Sequence, residues 1–206
     1  MRAPLFLLLL SILGGASGCD ERTQGRSAAT AAQGTPEPPA ADSVPAPTAS
    51  SSPTARCIVP LGAPAPAAKR ATACPEDPTG NLNLARGWVS FPGAGSAPRV
   101  AVELADNPTS RERGLMYRTS LPEDQGMLFS WTDESERAFW MRNTCIPLDM
   151  LFIAKDLTIL GIVEQVPPMN EAARGIPCPA AHVLELNAGW ARRHGLEPGQ
   201  KIVVES

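Results

Sequence analysis

Three carboxylates beside apolar segments are the residues of this sequence best placed for acid–base chemistry. Asp149 opens an apolar run, Glu185 stands between two leucines, and Glu164 ends another apolar stretch. Burial raises the pKa of a carboxyl, and two such groups can serve as general acid and general base, as in glycoside hydrolysis. The sequence therefore allows a hydrolase or lyase acting on an envelope polymer through Asp149 and Glu185. It equally allows strand-end acids that form salt bridges or cap backbone amides.

A second group of residues is suited to binding without catalysis. Trp140 is followed by Asn143 and Thr144 where a predicted strand gives way to a loop. An aromatic face beside an amide and a hydroxyl suits a sugar ring or a peptide, and Arg118 would add a carboxylate or phosphate contact. Alternatively, Trp140 belongs to the core, and Asn143 and Thr144 form the turn before Pro147. Our first hypothesis is a non-enzymatic module that binds a small molecule, glycan or peptide here.

Methionines offer a third kind of chemistry. Thioether sulfur binds soft ions such as Cu(I), so a methionine-based metal carrier is another hypothesis. Each of these side chains also lies among Leu, Phe or Trp, where Met is an adaptable filler of apolar cores. We favour packing and predict neither a metal nor a cofactor. The methionines concerned are Met116, Met127, Met141, Met150 and Met169.

The cysteines divide into one near the N-terminus and an even set of four. Cys57, Cys74, Cys145 and Cys178 are typical of disulfides in an oxidising compartment. Four cysteines allow three connectivities, of which sequence proximity favours Cys57–Cys74 with Cys145–Cys178. The chain has no Cys-x-x-Cys pair, and a structural zinc site is therefore not expected.

The N-terminus predicts export. Arg2 precedes an apolar run over 5–13, which is too short to span a bilayer but suits a signal peptide over 1–18. Residues 16–19 resemble the lipobox of bacterial lipoproteins, in which the cysteine is acylated and becomes the mature N-terminus. We expect a lipid anchor on Cys19 that places the protein in the cell envelope, facing the periplasm or exterior. A secreted, unlipidated protein is the alternative.

The segment after Cys19 has the composition of a tether. Residues 19–56 are mostly Ala, Pro, Ser and Thr, and they cannot bury enough apolar surface to offset the entropy of ordering. We predict a disordered tether there, and an irregular segment over 57–98 that is stapled by disulfide. The net charge is −3. No polybasic block occurs, so we expect no nucleic acid partner and a membrane partner only through the lipid.

The candidate residues lie in a predicted α+β domain over 99–206, a compact β-rich rolled sheet or small barrel with two short helices. Asn107 caps a helix running to about Arg118, with Thr109 and Glu112 as a capping box. Asn187 caps a second helix that ends at Gly195. A strand over 149–154 is apolar on both faces, which predicts an interior position. The other strand candidates are 88–91, 100–104, 127–131, 138–141, 157–164, 183–186 and 202–204.

Five motifs follow one another in this domain, over residues 112–118, 126–129, 139–144, 146–153 and 183–190. Together they resemble the domain of unknown function 192 (DUF192) family across the C-terminal half of the chain. The resemblance implies a compact β-rich domain of this size, and it implies no activity, substrate or catalytic residue. Cys145 lies between the third and fourth motifs and is interpreted as an addition for the disulfide.

Overall fold

A computed structural model describes residues 56–95 and 97–205. The predicted signal peptide over 1–18, the predicted lipid site at Cys19 and the tether up to residue 55 lie outside the described residues. Within the described part, none of the helices has the length and apolar character needed to cross a membrane.

Seven strands form one mixed sheet with the order β5-β4-β6-β3-β2-β1-β7. Strands β2 and β3 run parallel and are joined through helix α1, whereas the other neighbours are antiparallel. The elements are β1 (Arg86–Ser90), β2 (Val100–Ala105), α1 (Pro108–Arg113), β3 (Gln125–Glu136), β4 (Leu148–Ile153), β5 (Ile159–Val166), β6 (Pro179–Asn187), α2 (Trp190–Arg193) and β7 (Val203–Glu205).

The sheet rolls until its two ends meet. Thr158, just before β5, forms a bridge with Lys201, just before β7. Beside it, the Ile159 amide donates to the Gln200 carbonyl at 2.9 Å, and the Ile202 amide donates to the Leu157 carbonyl at 2.9 Å. The predicted β-rich rolled sheet with two short helices is confirmed.

The sheet separates two apolar clusters. The inner cluster includes Ile159 of the edge strand β5 and Val89 of β1, which lies next to the opposite edge, so the sheet wraps around it. The outer cluster covers the opposite face. Strand β4 is buried along its whole length, with Leu151 in the inner cluster and Met150 in the outer one. Its two apolar faces and its place between β5 and β6 confirm the predicted interior position.

Residues 57–85, here called the strap, cross the outer face without forming a helix or strand. Ile58, Val59 and Leu84 pack against the outer cluster. The Val59 amide donates to the Leu160 carbonyl at 2.7 Å, which fixes the strap against β5. The strap then leads into β1, which pairs with β2 and β7.

Both disulfides join the strap to the domain, as Cys57–Cys178 and Cys74–Cys145. The predicted pairs, Cys57–Cys74 and Cys145–Cys178, are therefore wrong. The prediction treated residues 57–98 as a unit that closes on itself. Instead the strap lies across the outer cluster, and each of its cysteines meets a cysteine of the domain.

Helix α1 begins as predicted but ends earlier. The Asn107 side chain accepts a hydrogen bond from the Ser110 amide at 3.0 Å, and Ser110 Oγ accepts one from the Asn107 amide at 3.2 Å. Ser110 therefore completes the capping box that was assigned to Thr109 and Glu112. The helix stops at Arg113 because Gly114 takes φ 47°, which side chains disfavour.

Two further local predictions are wrong. Residues 138–141 form no strand, and only Phe139 bridges to Arg174. Here Arg137 Nε donates to the Ala180 carbonyl at 3.0 Å, so a side chain occupies the acceptor beside the end of β3. Asn187 does not cap α2, because its side chain donates to the Leu121 and Pro122 carbonyls, both at 3.1 Å. The left-handed position at Gly195 is confirmed, with φ 66°.

Candidate functional site

Glu185 lies on the outer face of β6, in the middle of the sheet. It is paired with Met127 of β3 and Met150 of β4, so apolar side chains flank it on both neighbouring strands. Only 4% of the residue is exposed. Among the residues that the structure describes, no group hydrogen-bonds to its carboxyl, which opens instead on a cleft. A carboxyl in this position is available to an external partner.

The cleft above Glu185 has a volume of about 280 Å³ and three sides. Helix α1 and the turn after it form one wall, the loop over 138–144 forms the opposite wall, and β3 lies between them. An added Cβ at Gly114 would stand 3.2 Å from Phe129, so glycine lets the end of α1 approach β3 closely. The lining residues are Arg111, Glu112, Arg113, Gly114, Leu115, Met116, Phe129, Trp131, Ala138, Phe139, Trp140, Thr144 and Glu185.

Aromatic side chains stiffen the cleft. Phe139 meets Phe129 edge-to-face with ring centroids 5.0 Å apart, and it contacts Trp131 in the same way at 6.2 Å. The Arg111 guanidinium lies 5.2 Å from the Trp131 ring centroid and donates to the Ser130 carbonyl at 2.9 Å. These contacts hold both walls against β3, so the cleft exists before a ligand binds.

Burial raises the pKa of Glu185 to about 8, although the positive charge of Arg118 opposes the rise. Arg118 is held by Glu103, with Nη1 donating to Glu103 Oε1 at 3.1 Å and Nη2 paired to the other oxygen. Glu103 pairs with Met127, and Met127 with Glu185, so the two acids share one face two strands apart. At neutral pH Glu185 therefore keeps its proton, and it can both donate and accept a hydrogen bond.

Asp149 lies on the opposite face of the sheet from Glu185. It pairs with Leu186, the next residue along β6, and is fully buried. Its carboxylate accepts hydrogen bonds from the amides of Gln165 and Gly189 at 2.9 Å and of Ala191 at 3.0 Å. Burial raises the pKa of Asp149, and the three amide donors counteract that rise. Asp149 thus anchors α2, and the predicted acid–base pair of Asp149 with Glu185 is wrong because the sheet separates them.

The structure brings together only part of the predicted binding group. Trp140 and Thr144 both line the cleft above Glu185. Asn143 turns away, since its Nδ2 donates to the Tyr117 hydroxyl at 2.9 Å and its carbonyl accepts from the Tyr117 amide at 2.7 Å. Arg118 lines a different cavity beside Glu103. Asn143 therefore shapes the loop, and Arg118 acts on Glu185 through its charge.

The methionines lie mainly in the core. Met127, Met141 and Met150 belong to the outer cluster and are no more than 1% exposed, whereas Met169 is 44% exposed. Their apolar surroundings agree with the packing interpretation. Across residues 56–95 and 97–205, no three His, Cys, Asp or Glu side chains gather in a way that could hold a metal ion.

A serine–histidine contact lies apart from the cleft. Ser130 Oγ and His182 Nδ1 are 3.0 Å apart, and the two residues are paired directly across β3 and β6. Burial lowers the pKa of His182, and Glu134 opposes that effect. Neither residue lines the cleft of Glu185. The contact is a cross-strand hydrogen bond between neighbours, of the kind that stabilises sheets.

Comparison with known proteins identifies the family of the domain. The profile of the DUF192 family, described as an uncharacterised ACR, matches residues 90–204. This chain belongs to the DUF192 family. Its DUF192 domain holds every residue that lines the cleft, whereas the strap precedes it. The comparison with curated proteins gave no match.

Two solved structures resemble the DUF192 domain of this chain. A proposed transcription regulator from Sinorhizobium meliloti 1021 is 43% identical, with 61% of this chain and 98% of that one covered and a TM-score of 0.58. A protein of unknown function from Novosphingobium aromaticivorans DSM 12444 is 34% identical, with 65% and 94% covered and a TM-score of 0.53.

Reasoning from the sequence missed most of the cleft's lining. Phe129 and Trp131 alternate along β3 and so share its outer face, a pattern visible in the sequence. Glu112 lies in α1, and Met116 follows the turn at Gly114, where the helix was expected to continue. Their approach to Glu185 depends on how α1 packs on β3, and no local pattern in the sequence states that packing.

Proposed function

We propose that this protein is an exported, lipid-anchored envelope protein whose DUF192 domain binds a small, hydroxyl-rich ligand in the cleft above Glu185. The observation that carries the proposal is the Glu185 carboxyl, nearly buried and without a hydrogen-bond partner among the described residues. Because the carboxyl opens on the cleft, a ligand hydroxyl can pair with it, and a hydrogen bond of this kind contributes about 0.5–1.5 kcal/mol.

The chemistry of the cleft selects the ligand class. A protonated carboxyl offers one donor and one acceptor, and the Thr144 hydroxyl offers the same combination. Hydroxyl groups of a ligand are complementary to both. Phe139 and Trp140 add aromatic surface for the apolar C–H faces that polyols and sugars also present. A cationic ligand is disfavoured, because Glu185 is neutral at pH 7 and Arg111 and Arg113 line the cleft.

Matched variants at Glu185 test the binding. The probes are glucose and N-acetylglucosamine, measured by calorimetry with wild type, Glu185→Gln and Glu185→Leu. Gln keeps a donor and an acceptor, so we expect affinity within a few-fold of wild type, whereas Leu should lose about tenfold or more. Melting temperatures serve as the control for folding. Binding that survives Glu185→Leu unchanged, or that neither probe shows at about 1 mM, would refute the proposal.

The envelope location is supported by the N-terminal pattern and the disulfides. Residues 1–19 have the order of a lipoprotein signal, and two cysteine pairs need an oxidising compartment to persist. We expect Cys19→Ser to release the protein from membranes or to stall its precursor. Unchanged membrane attachment, together with no acyl mass on the mature terminus, would contradict the anchor.

A role in transcription, suggested by the description of the Sinorhizobium relative, does not follow for this chain. The net charge is −3, whereas DNA binding depends on neutralising phosphates with Lys and Arg. Export would also separate the protein from DNA.

Hydrolysis of the ligand is a second candidate, favoured by one observation. Glu112 lines the same cleft as Glu185, and the raised pKa of Glu185 suits a general acid near neutral pH. In this alternative Glu112 supplies the second carboxylate that Asp149 does not. Incubation with cello- and chito-oligosaccharides, followed by chromatography, should then give products that Glu112→Gln and Glu185→Gln abolish. Intact substrates after prolonged incubation would contradict hydrolysis and leave binding in place.

A further inference from the structure

Trp140 stands between two grooves. One is the cleft above Glu185, and the other is a cavity of about 260 Å³ on its far side, lined by Ala138, Phe139, Trp140, Glu171 and Ala173. Both grooves share Ala138, Phe139 and Trp140 as a common wall. Trp140 is 43% exposed, an unusual degree for so large an apolar side chain. The two grooves together reach the size of a site for a ligand longer than one small unit.

Part of the backbone beside this wall is already hydrogen-bonded. The Phe139 amide donates to the Arg174 carbonyl at 2.8 Å, and the Arg174 amide donates to the Phe139 carbonyl at 2.7 Å. The Met141 amide donates to the Asn170 carbonyl at 2.7 Å. An extended peptide that adds to a sheet edge needs free amides and carbonyls, and both groups of Phe139 are taken. At Phe139 recognition must therefore come from the side chain.

A carboxyl and an aromatic surface occur on each side of Trp140. Glu185 lies in the first groove and Glu171 in the second, and each groove has the shared aromatic wall. An aromatic surface with an adjacent carboxyl suits a unit that has hydroxyl groups on its edge and C–H groups on its face. A ligand that repeats such units matches the repeated arrangement.

We propose that the two grooves form one continuous site for an oligosaccharide, with at least one sugar unit on each side of Trp140. The inference rests on the proposed function, because it assigns a ligand class to the same cleft. It goes further in predicting that affinity depends on chain length and that Trp140 is the residue that makes it so.

A chain-length series tests the proposal. The probes are glucose and N-acetylglucosamine with their β-1,4-linked oligomers up to the hexasaccharide, measured by calorimetry on the whole protein. We expect wild type to bind the trisaccharide of at least one series about tenfold or more tighter than the monosaccharide. Trp140→Ala should weaken both ligands, because Trp140 lines both grooves, but should lose most of this gain, so that the trisaccharide loses about tenfold more affinity than the monosaccharide.

Trp88 provides a matched control. It is also 43% exposed and lies under an arginine, with Arg99 4.4 Å from its ring as Arg142 is 4.9 Å from Trp140, but it belongs to β1. Trp88→Ala should keep the full gain with chain length. Equal affinity for all lengths, or equal losses in the two variants, would overturn this inference. If the monosaccharide binds through Glu185 under those conditions, the proposed function survives; if no sugar binds at about 1 mM, both fall.

Discussion

Asp149 and Glu185 are two buried carboxylic acids on neighbouring strands, yet their surroundings are opposite. Asp149 faces the inner side of the sheet and accepts three backbone hydrogen bonds, which hold helix α2 in place. Glu185 faces the outer side, has methionines on both flanking strands, and opens on a cleft without a protein partner among the described residues. Burial alone therefore does not distinguish an acid that holds the fold from one that is open to a ligand. The hydrogen-bond partners do.

The same contrast extends to the two clusters. The sheet itself encloses the inner cluster, because Thr158 and Lys201 form a bridge beside the two edge strands β5 and β7. The outer cluster depends on the strap and its two disulfides for cover. The proposed ligand site thus lies on the side of the sheet that is held by cross-links, opposite the inner cluster.

Removal of a disulfide should give the largest effect and should act on the outer face. Cys57 and Cys178 are 121 residues apart, and the loss of such a loop constraint costs up to about 5 kcal/mol in the chain-entropy treatment. We expect Cys57→Ala with Cys178→Ala to lower the unfolding free energy accordingly. Hydrogen exchange should accelerate at the Val59 amide and stay slow at the Ile202 amide. Equal acceleration at both would break the distinction between the two sides.

The pH dependence of stability should give the second-largest effect. The pKa of Glu185 is raised from 4.5 to about 8, so between these values the folded state binds a proton that the unfolded state has released. The contribution of Glu185 to the free energy of unfolding is complete below pH 4.5. It falls by about 1.4 kcal/mol per pH unit between pH 4.5 and pH 8 and is lost above pH 8. Urea unfolding of wild type and Glu185→Gln checks this.

Comparison with the variant isolates Glu185 from other groups. His182, whose pKa is lowered, gives a slope of opposite sign below its unfolded pKa of 6.5. Because both proteins contain His182, the difference between their curves belongs to Glu185. Parallel curves across this range would contradict a buried acid at position 185.

A third test compares the two acids by the same kind of change. Asp149→Asn puts an amide N–H among three amide donors, and we expect a loss of about 3 kcal/mol. Glu185→Gln at pH 7 removes the need to take up a proton on folding, so it should raise the free energy of unfolding rather than lower it. Chemical denaturation measures both. Similar losses in the two variants would mean that Glu185 also has a structural role.

The smallest effect is expected at Asn143. Asn143→Ala removes the hydrogen bond to the Tyr117 hydroxyl and leaves Ala at a φ of 54°, with a combined cost of about 1–2 kcal/mol. Since Asn143 does not line the cleft, glucose and N-acetylglucosamine should bind the folded fraction as they bind wild type. A selective loss of binding at unchanged melting temperature would place Asn143 in the site.

The sequence predicted the parts of the fold that depend on local pattern. The apolar residues on both faces of β4 predicted a strand with two buried faces, and Asn107 with Pro108 predicted the start of α1. The disulfide pairs and the separation of the two acids depend on long-range register instead. Asp149 pairs with Leu186, and a shift of one residue along β6 would pair it with Glu185 and place both acids on the same side of the sheet. No local pattern states that register.

The candidate site was predicted in fragments for the same reason. The sequence indicates Trp140, Thr144 and Glu185 separately by their chemistry, and only the packing of β3, β6 and the loop over 138–144 brings them to one cleft. For Arg118 the sequence predicts direct contact with a ligand, but Glu103 holds it. Its remaining influence, on the pKa of Glu185, acts through charge and could not be read from spacing.

The central claim is that Glu185 is a protonated acid beneath an open cleft. The direct measurement is a pH titration of the Glu185 side-chain carboxyl by carbon-13 NMR, assigned by comparison with Glu185→Gln. In the absence of any sugar we expect a midpoint near pH 8, and a lower one in Glu103→Gln, which frees Arg118 to approach. A midpoint near the ordinary value of 4.5 in wild type would contradict the account.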